Sequence, residues 1–501
     1  MTAPTDLGVC AGVAGLSVCF IDERPRRTCV VESDRIRLDS LATLLTRRRI
    51  ELYPRLILIV IAAVFVLNIA GSTGWRGLGG QLLFPDFHIF YSAGTLLHRA
   101  PESLYDFKEQ LSLQRSLVAP TPLPGTGAFS HPPYVAPLFE MFTALSLPVA
   151  LILWNALSAA ALGGALWLAV RLIRRHPWSL DASTRVITVA GLSTAPVLFG
   201  LHSGQMHSFI LLGSIAVVVL VLDGKSWQAG AIVGLLAIKP QIALSFGLLF
   251  IVRRDLRACI AAAVTFAGLN GLLIGRVGFD TALSLHASYL DTTRSLLLMP
   301  FTEGFPSYLL LTPYGLMSGV VGPDRQGTIL LLSNVVAVGI LLWFLVDGWR
   351  MRNAQEEAAM PLLLGRTLLL PSLLTPYLMM YDAAPLLVAC LLIVPPTMPR
   401  RMLDMGARVY GALWVYPPVS AIIGVPLGAL VPIGLWIASS KTGLPAGVWR
   451  RITPGGGNEP SSPGCAGSAC GLQPVVGSFG VGAGPAIAGE GRGRVDGTAN
   501  S

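Results

Sequence analysis

The sequence predicts an all-α protein that crosses a membrane many times. Hydrophobic residues make up 53% of its 501 positions and charged residues only 13%, which is far from the balance of a soluble domain. A long series of apolar segments begins near residue 55, and short arginine clusters separate several of them. Because lysine and arginine are retained on the cytoplasmic side of a membrane, we interpret the net charge of +9 as membrane orientation and not as nucleic-acid binding.

The two ends of the chain are predicted to lie outside the folded part. Residues 1–50 contain an apolar run that is too short to span and lacks a preceding basic region, so we predict a poorly ordered cytoplasmic extension and not a cleaved signal peptide. Residues 450–501 are rich in Gly, Ser and Pro and cannot bury enough surface to fold, so we expect a disordered tail. The membrane domain is therefore assigned to residues 51–445.

The first segment long enough to cross runs from Arg55 to about Ala70. The arginines before it place its N-terminus inside, so the polar interval 75–131 is predicted to be an outer loop. Hydrophobic residues recur at near-helical spacing over 86–98 and 106–118, which predicts two amphipathic helices that lie along the outer face of the membrane. Residues 275–304 form a second predicted outer loop, with a helical stretch near 281–298.

The rest of the membrane domain consists of further apolar segments, several of them shorter than the roughly 20 residues that a spanning helix needs. Short segments interrupted by Pro or Gly predict broken or re-entrant helices. We interpret 134–147 and 149–170 as two separate spans, although this leaves the arginine cluster at 171–175 outside; one re-entrant unit is the alternative. We expect about 10–13 spans in total. The remaining segments are 186–201, 208–222, 228–251, 256–274, 305–321, 327–347, 361–379, 381–396, 407–424 and 426–439.

Asp86 is the strongest candidate for chemistry in the first outer loop. It lies in the stretch Phe84-Pro85-Asp86-Phe87-His88, where aromatic neighbours would remove part of its hydration. Partial desolvation raises the pKa of a carboxyl group and makes it a useful general base. The alternative, which the pattern favours when taken alone, is that Asp86 caps the helix that starts near Phe87.

Lys239 is a lone charge in the middle of an apolar stretch, directly before Pro240. A buried ammonium requires an anion, and the sequence near it contains none. The phosphate of a lipid substrate would serve. A lysine that reaches the interface from a helix end, or an ion pair with a distant segment, explains the residue equally well. Asp382, at the edge of a later segment, is a candidate partner for Lys239 or for an arginine.

Four further residues are weaker candidates for substrate binding. His88 could contact phosphate or a hydroxyl, although a lone interfacial histidine is more often a polar surface residue. Gln205 lies in a Gly-Gln turn and could contact a sugar hydroxyl, but any tight turn needs such residues. His131 begins a His-Pro-Pro sequence for which a rigid turn is the simpler explanation, and Tyr381 directly precedes Asp382.

No cofactor or metal site is expected from the sequence. The seven cysteines lie in the two tails or inside apolar segments, with no CxxC spacing and no matched histidine, so neither a zinc site nor a disulfide framework is predicted. The chain also lacks HExxH, GxSxG and P-loop motifs, and it has no GxGxxG between a strand and a helix.

An ordered set of short motifs resembles glycosyltransferase family 87, whose members are multispanning GT-C-type enzymes. The motifs are Asp-Phe and Tyr-x-Ala in the first outer loop, then Leu-Tyr-Asp, His-Pro-Pro, Gly-Gln, Lys-Pro, a basic pair and a late Pro followed by Tyr-Asp. In this chain they are Asp86-Phe87, Tyr91-Ser92-Ala93, Leu104-Tyr105-Asp106, His131-Pro132-Pro133, Gly204-Gln205, Lys239-Pro240, Arg253-Arg254 and Pro376 with Tyr381-Asp382. The resemblance extends from about residue 55 to residue 440.

The resemblance implies a GT-C-like bundle that takes a hexose, with mannose as the candidate, from a polyprenyl-phosphate carrier. It implies transfer with inversion to a lipid or glycan acceptor, without a nucleotide-sugar or a bound divalent metal. Asp86 would deprotonate the acceptor hydroxyl, and Lys239, Arg99 and His131, in that order, are the candidate cations for the leaving phosphate. Asp86-Phe87-His88 departs from the paired acids of many other GT-C enzymes, which disfavours a metal-assisted variant.

The same resemblance implies a site on the outer side of a bacterial plasma (inner) membrane, with the lipid-linked sugar, the acceptor and membrane lipids as partners and no nucleic acid. A transporter or flippase of a lipid-linked sugar is the main alternative. It predicts charges spread through several central spans, whereas here they gather at the outer edge. A non-catalytic scaffold would leave the positions of Asp86 and Lys239 unexplained.

Overall fold

The computed structural model describes residues 47–122, 127–175, 184–296, 306–353, 359–394 and 399–441. The predicted tail 450–501 lies outside these ranges, as does the predicted extension 1–50 apart from the first residues of helix α1. Within the described ranges the fold is all-α, with no β-strand. The helices are α1 (Arg47–Ala70), α2 (Pro85–Arg99), α3 (Phe107–Val118), α4 (Ala136–Glu140), α5 (Leu147–Arg175), α6 (Thr184–Leu192), α7 (Ala195–Ser203), α8 (His207–Leu222), α9 (Ser226–Leu235), α10 (Pro240–Arg253), α11 (Leu256–Val277), α12 (Phe279–Leu296), α13 (Pro313–Val321), α14 (Gln326–Asn353), α15 (Met360–Leu374), α16 (Ala384–Ile393), α17 (Pro399–Ile423) and α18 (Leu430–Lys441).

The described part of the chain contains four helices long and apolar enough to cross a membrane, namely α1, α5, α11 and α14. Helices α6 and α7 meet at 53° and make a fifth if they form one broken span. Six shorter apolar segments of 10–17 residues accompany them. The protein is therefore a polytopic integral membrane protein, and the predicted total of about 10–13 spans requires that most of the shorter segments cross as well.

Helix α1 shows how little of its surface the rest of the protein covers. Val60, Val64 and Val66 are all exposed, and only 6% of the apolar part of the helix is buried. A helix with apolar residues on every side that packs on little protein is stable only where lipid replaces water. Its surroundings in the cell are therefore hydrocarbon.

The two helices predicted in the first outer loop are present as α2 and α3. The side chain of Asp106 caps α3 by accepting hydrogen bonds from the backbone N–H groups of Lys108 and Glu109, at 2.8 and 3.3 Å. Helix α2 differs from the prediction of a surface-lying helix, because most of its residues, from Phe87 to Leu97, are buried. Its side chains form much of a hydrophobic cluster that includes Phe139 and Trp154.

The stretch 134–147, predicted to be a separate span, is not one continuous helix. It folds as two short 3-10 turns on either side of α4, which is only five residues long. These pieces pack on α2 so closely that a Cβ on Gly94 would lie 2.6 Å from the backbone of Phe139. The prediction was wrong because these apolar residues bury themselves against α2, as Phe139 and Phe142 do.

Two hydrophobic clusters form the interior of the described residues. One surrounds α2 and contains Phe87, Phe90, Phe139 and Trp154. The other lies among α8, α10, α15 and α16 and contains many leucines and valines. Ile238, in the break between α9 and α10, packs against both clusters.

Candidate active site

Asp86 lies in the first turn of α2, next to Pro85, which begins the helix. The residue before the helix is Phe84, whose backbone is left-handed with a φ of 53°, and no side chain caps this end. Asp86 is therefore not the N-cap, in contrast to the alternative drawn from the sequence. Its carboxylate is half-buried and is free to interact with other segments.

The turn between α7 and α8 brings Gln205 against Asp86. Helix α7 ends at Ser203 and is followed by Gly204, which has a φ of 73°. The Gly204 carbonyl accepts a hydrogen bond from Trp154 Nε1 at 2.9 Å. A Cβ on Gly204 would lie 2.9 Å from the Cβ of Phe87, so glycine allows the turn to approach α2 this closely. Gln205 Nε2 then donates a hydrogen bond to Asp86 Oδ2 at 3.1 Å.

Lys239 lies in the break between α9 and α10. A short 3-10 turn precedes it and Pro240 begins the next helix. Its side chain is 6% exposed and forms an ion pair with Asp382, which is 3% exposed and lies in the turn before α16. The pairing with a distant segment, one of the interpretations of the sequence, is what the structure has. A phosphate that binds Lys239 must therefore join or replace this pair.

Tyr381 lies beside the same ion pair. Its ring centroid is 4.8 Å from Lys239 Nζ, within the range of a cation–π interaction. The opposite neighbour is Phe199 of α7, whose ring is stacked with that of Tyr381 at 6.2 Å and 9°. The aromatic pair thus connects α7, which leads to Gln205, with the turn that carries Asp382.

Tyr377 is a further member of this cluster that the sequence analysis did not select. It is half-buried and close enough to interact electrostatically with both Asp86 and Asp382. It belongs to an extended segment after α15 that is held by a backbone hydrogen bond from the N–H of Leu311 to the carbonyl of Leu378, at 3.0 Å. No local pattern relates Tyr377 to Asp86, so only the fold reveals their proximity.

Burial raises the pKa of Asp86 to about 6. The hydrogen bond from Gln205 and the Lys239 ammonium oppose this rise, whereas the carboxylate of Asp382 adds to it. At neutral pH Asp86 is therefore mostly ionised, and its pKa is close enough to the ambient pH for efficient proton transfer. Within the described ranges, no three His, Cys, Asp or Glu side chains lie close enough together to hold a metal ion.

Comparison with known proteins identifies the family. Residues 129–376 match the sequence model of glycosyltransferase family 87. The chain belongs to glycosyltransferase family 87. A protein of Mycobacterium tuberculosis, described as a polyprenol-phosphate-mannose-dependent alpha-(1-2)-phosphatidylinositol pentamannoside mannosyltransferase, is 24% identical over 371 residues, which cover 72% of this chain and 77% of the relative. No solved structure matches the chain.

The candidate site of this family 87 glycosyltransferase contains residues from inside and outside the matched region. Gln205 and Lys239 lie inside residues 129–376, whereas Asp86, Tyr381 and Asp382 lie outside them. The fold nevertheless brings all five together, since Asp86 interacts electrostatically with Lys239, Asp382 and Tyr381. The hydrogen bond from Gln205 to Asp86 thus joins the matched region to the candidate base.

His131 lies at the edge of this cluster. Its ring is 5.2 Å from that of Phe90 and 5.8 Å from that of Phe129. Burial and the nearby Lys239 lower its pKa to about 3, so the ring is neutral at physiological pH and does not act as a cation there. Its buried Nε2 has no hydrogen-bond partner among the described residues, which leaves this nitrogen for a ligand or a water molecule.

His88 and Arg99 lie apart from the cluster. His88 Nε2 donates to the carbonyl of Leu83 at 3.1 Å, its ring packs edge-on against Trp75, and burial lowers its pKa to about 4. Arg99 is an exposed residue at the other end of α2, roughly 20 Å from Asp86 at 1.5 Å per residue. The structure therefore gives His88 a contact within the loop and places Arg99 far from the candidate base.

Proposed function

We propose that this protein transfers a hexose, with mannose as the candidate sugar, from a polyprenyl-phosphate carrier to a hydroxyl group of a lipid or glycan acceptor. The family supports glycosyl transfer, and the name of the mycobacterial relative supports the donor class. The observation that carries the proposal is the proximity of a half-buried carboxylate, Asp86, to the buried ion pair of Lys239 and Asp382. One side chain suits proton abstraction, and the ammonium beside it suits a phosphate.

The proposed reaction is a single displacement. Asp86 accepts the proton of the acceptor hydroxyl while that oxygen attacks the anomeric carbon of the sugar. The bond from this carbon to the phosphate oxygen breaks, and the polyprenyl phosphate leaves with the electron pair. Because attack and departure occur on opposite faces of the same carbon, the anomeric configuration is inverted.

Lys239 has the complementary role in this proposal. The leaving phosphate gains negative charge as the bond breaks, and a positioned ammonium stabilises that charge more strongly in a water-poor site than it would in water. In this proposal the phosphate contacts the Lys239 ammonium, and the Asp382 carboxylate holds that ammonium in position. Tyr381, whose ring lies against Lys239, limits the directions from which the phosphate can approach.

The decisive experiment measures sugar transfer by purified protein in sealed proteoliposomes, with a radiolabelled polyprenyl-phosphate mannose and an acceptor lipid extract. We expect Asp86→Asn to lower kcat by about 10²–10⁴-fold, the usual contribution of a general base. Asp106→Asn is the matched control, because Asp106 lies in the same loop but only caps α3, and asparagine caps equally well. Full transfer by Asp86→Asn would refute the proposal, and labelled donor that crosses the bilayer without forming product would favour a flippase.

We also propose that the site faces the outer side of a bacterial inner membrane. The support is the arginine cluster Arg47-Arg48-Arg49 at the start of α1, which favours an outer position for the loop that follows this helix. Gly79 is exposed in that loop and has open space around it, so Gly79→Cys adds a thiol without distortion. In intact spheroplasts we expect a membrane-impermeant maleimide to label Gly79→Cys well above the native-cysteine background of the parent protein. Labelling only after the cells are opened would reverse the assigned orientation.

A further inference from the structure

The side-chain amide of Gln205 forms hydrogen bonds within the protein at both its oxygen and its nitrogen. Its Oε1 accepts the backbone N–H of Met206 at 3.0 Å, which orients the amide so that Nε2 faces Asp86 Oδ2 at 3.1 Å. The side chain also lies near that of Tyr381. Gln205 is only 4% exposed. Little of this amide is available to a sugar hydroxyl.

The backbone that carries Gln205 is also held in place. Its N–H donates to the carbonyl of Gly200 at 3.0 Å, and its carbonyl lies 3.3 Å from Nδ1 of His207. Trp154 holds the preceding carbonyl, that of Gly204. A residue fixed at both its backbone and its side chain acts as a support for its neighbour and is poorly suited to reorient towards an incoming substrate.

We infer that Gln205 is a positioning residue that holds Asp86 for proton abstraction, and that it is not a ligand of the sugar. The inference rests on the proposed role of Asp86 as general base. The amide holds Oδ2, while Oδ1 accepts no hydrogen bond from the described residues and is left for the acceptor hydroxyl. A hydrogen bond donated to a carboxylate stabilises its ionised form, which is the form that accepts a proton.

The other groups that face Asp86 are unchanged by a substitution at Gln205. They are Lys239 from the α9–α10 break, Asp382 and Tyr381 from the turn before α16, and Tyr377 from the segment after α15. His207, at the start of α8, has Nδ1 3.3 Å from the Gln205 carbonyl and Nε2 3.1 Å from Ser208 Oγ, so both of its ring nitrogens have partners other than Asp86. A shift in the titration of the base on substitution of Gln205 is therefore attributable to the lost amide.

The test is the pH profile of kcat/KM for Gln205→Met, which keeps the length of the side chain but donates no hydrogen bond. We expect the acid limb to move upwards by about one pH unit, since a hydrogen bond to a charged group is worth roughly that much. Activity at pH 6 should fall severalfold, up to about tenfold, and should recover most of the way above pH 8. Recovery at high pH distinguishes a weakened base from a damaged fold.

Gln110→Met is the matched control. Gln110 is equally buried, donates to the carbonyl of Leu104 at 2.7 Å and accepts the N–H of Phe129 at 2.7 Å, but it contacts backbone only. Its replacement should lower thermal stability and leave the acid limb in place. The inference is overturned if Gln205→Met raises KM at every pH without moving the limb, as loss of a sugar ligand would do, or if both variants move the limb equally.

The outcome for Asp86→Asn separates this inference from the proposed function. If that variant is inactive and Gln205→Met has an unshifted limb, Asp86 remains the base and only the positioning role fails. If Asp86→Asn retains full transfer, the proposed function fails and the role of Gln205 fails with it.

Discussion

Asp86 is subject to two opposing effects. Burial beside aromatic rings favours the protonated acid, whereas the Gln205 amide and the Lys239 ammonium favour the carboxylate. The result is a pKa of about 6. This value is above that of an exposed aspartate, yet low enough for the carboxyl group to be ionised at neutral pH. Such a value suits a base that must accept a proton during the reaction and release it afterwards.

The sign of the pH dependence follows from this balance. Asp86 works as a base only when ionised, so kcat/KM should fall about tenfold for each pH unit below pH 6 and should level off above about pH 7. The measurement is initial-rate transfer at low substrate from pH 4.5 to 8.5. An acid limb near pH 4, typical of an exposed aspartate, or a flat profile, would contradict the assigned burial of the base.

Local sequence predicted part of this site. Phe84 and Phe87 indicated that Asp86 would be desolvated, and the lone charge of Lys239 indicated a buried partner. The contacts of Asp86 with Gln205 and Tyr377 were not predictable, because their side chains meet only through the fold and no periodicity records such a meeting. Arg99 was also selected from the sequence, and the rise of α2 places it roughly 20 Å from Asp86, at the other end of the helix.

At the scale of elements, the polar residues of the site lie at breaks between helices. Gln205 follows the left-handed Gly204, and Lys239 lies between a 3-10 turn and Pro240. Asp382 lies in the turn that leads into α16. A break frees backbone N–H and carbonyl groups, which are tolerated at membrane depth only where protein or a polar cavity covers them. The same breaks that shorten these apolar helices therefore create a polar site between them.

Helices were predicted correctly where the spacing of hydrophobic residues was helical. The prediction failed where an apolar segment is buried by contacts with a helix distant in sequence. The amphipathic spacing over 86–98 and 106–118 correctly predicted α2 and α3. The apolar stretch 134–147 gave the same composition signal as a span, but its hydrophobic residues contact α2, as the stacking of Phe90 on Phe139 at 4.6 Å shows. Composition reports that a segment is buried and does not report whether lipid or protein buries it.

At the scale of the whole molecule, the Lys239–Asp382 pair connects segments 143 residues apart. It joins the α9–α10 break to the turn before α16, and both belong to the same interior cluster through neighbours such as Leu236 and Ala383. A buried pair contributes less to stability than its contact suggests, because both ions lose their hydration. Removal of one partner, however, leaves an uncompensated charge in the interior.

We therefore expect the single variants Lys239→Met and Asp382→Leu each to destabilise the protein by about 3–5 kcal/mol, and the double variant to recover much of that loss. The measurement is the thermal unfolding midpoint in detergent. Asp291→Asn is the control, since it breaks the exposed Arg294–Asp291 pair and should shift the midpoint little. If the two single losses simply add, the residues do not act as a pair. If the double variant is stable yet binds the lipid donor as tightly as the parent, the ammonium has no role at the phosphate, and the pair serves only to hold the two breaks together.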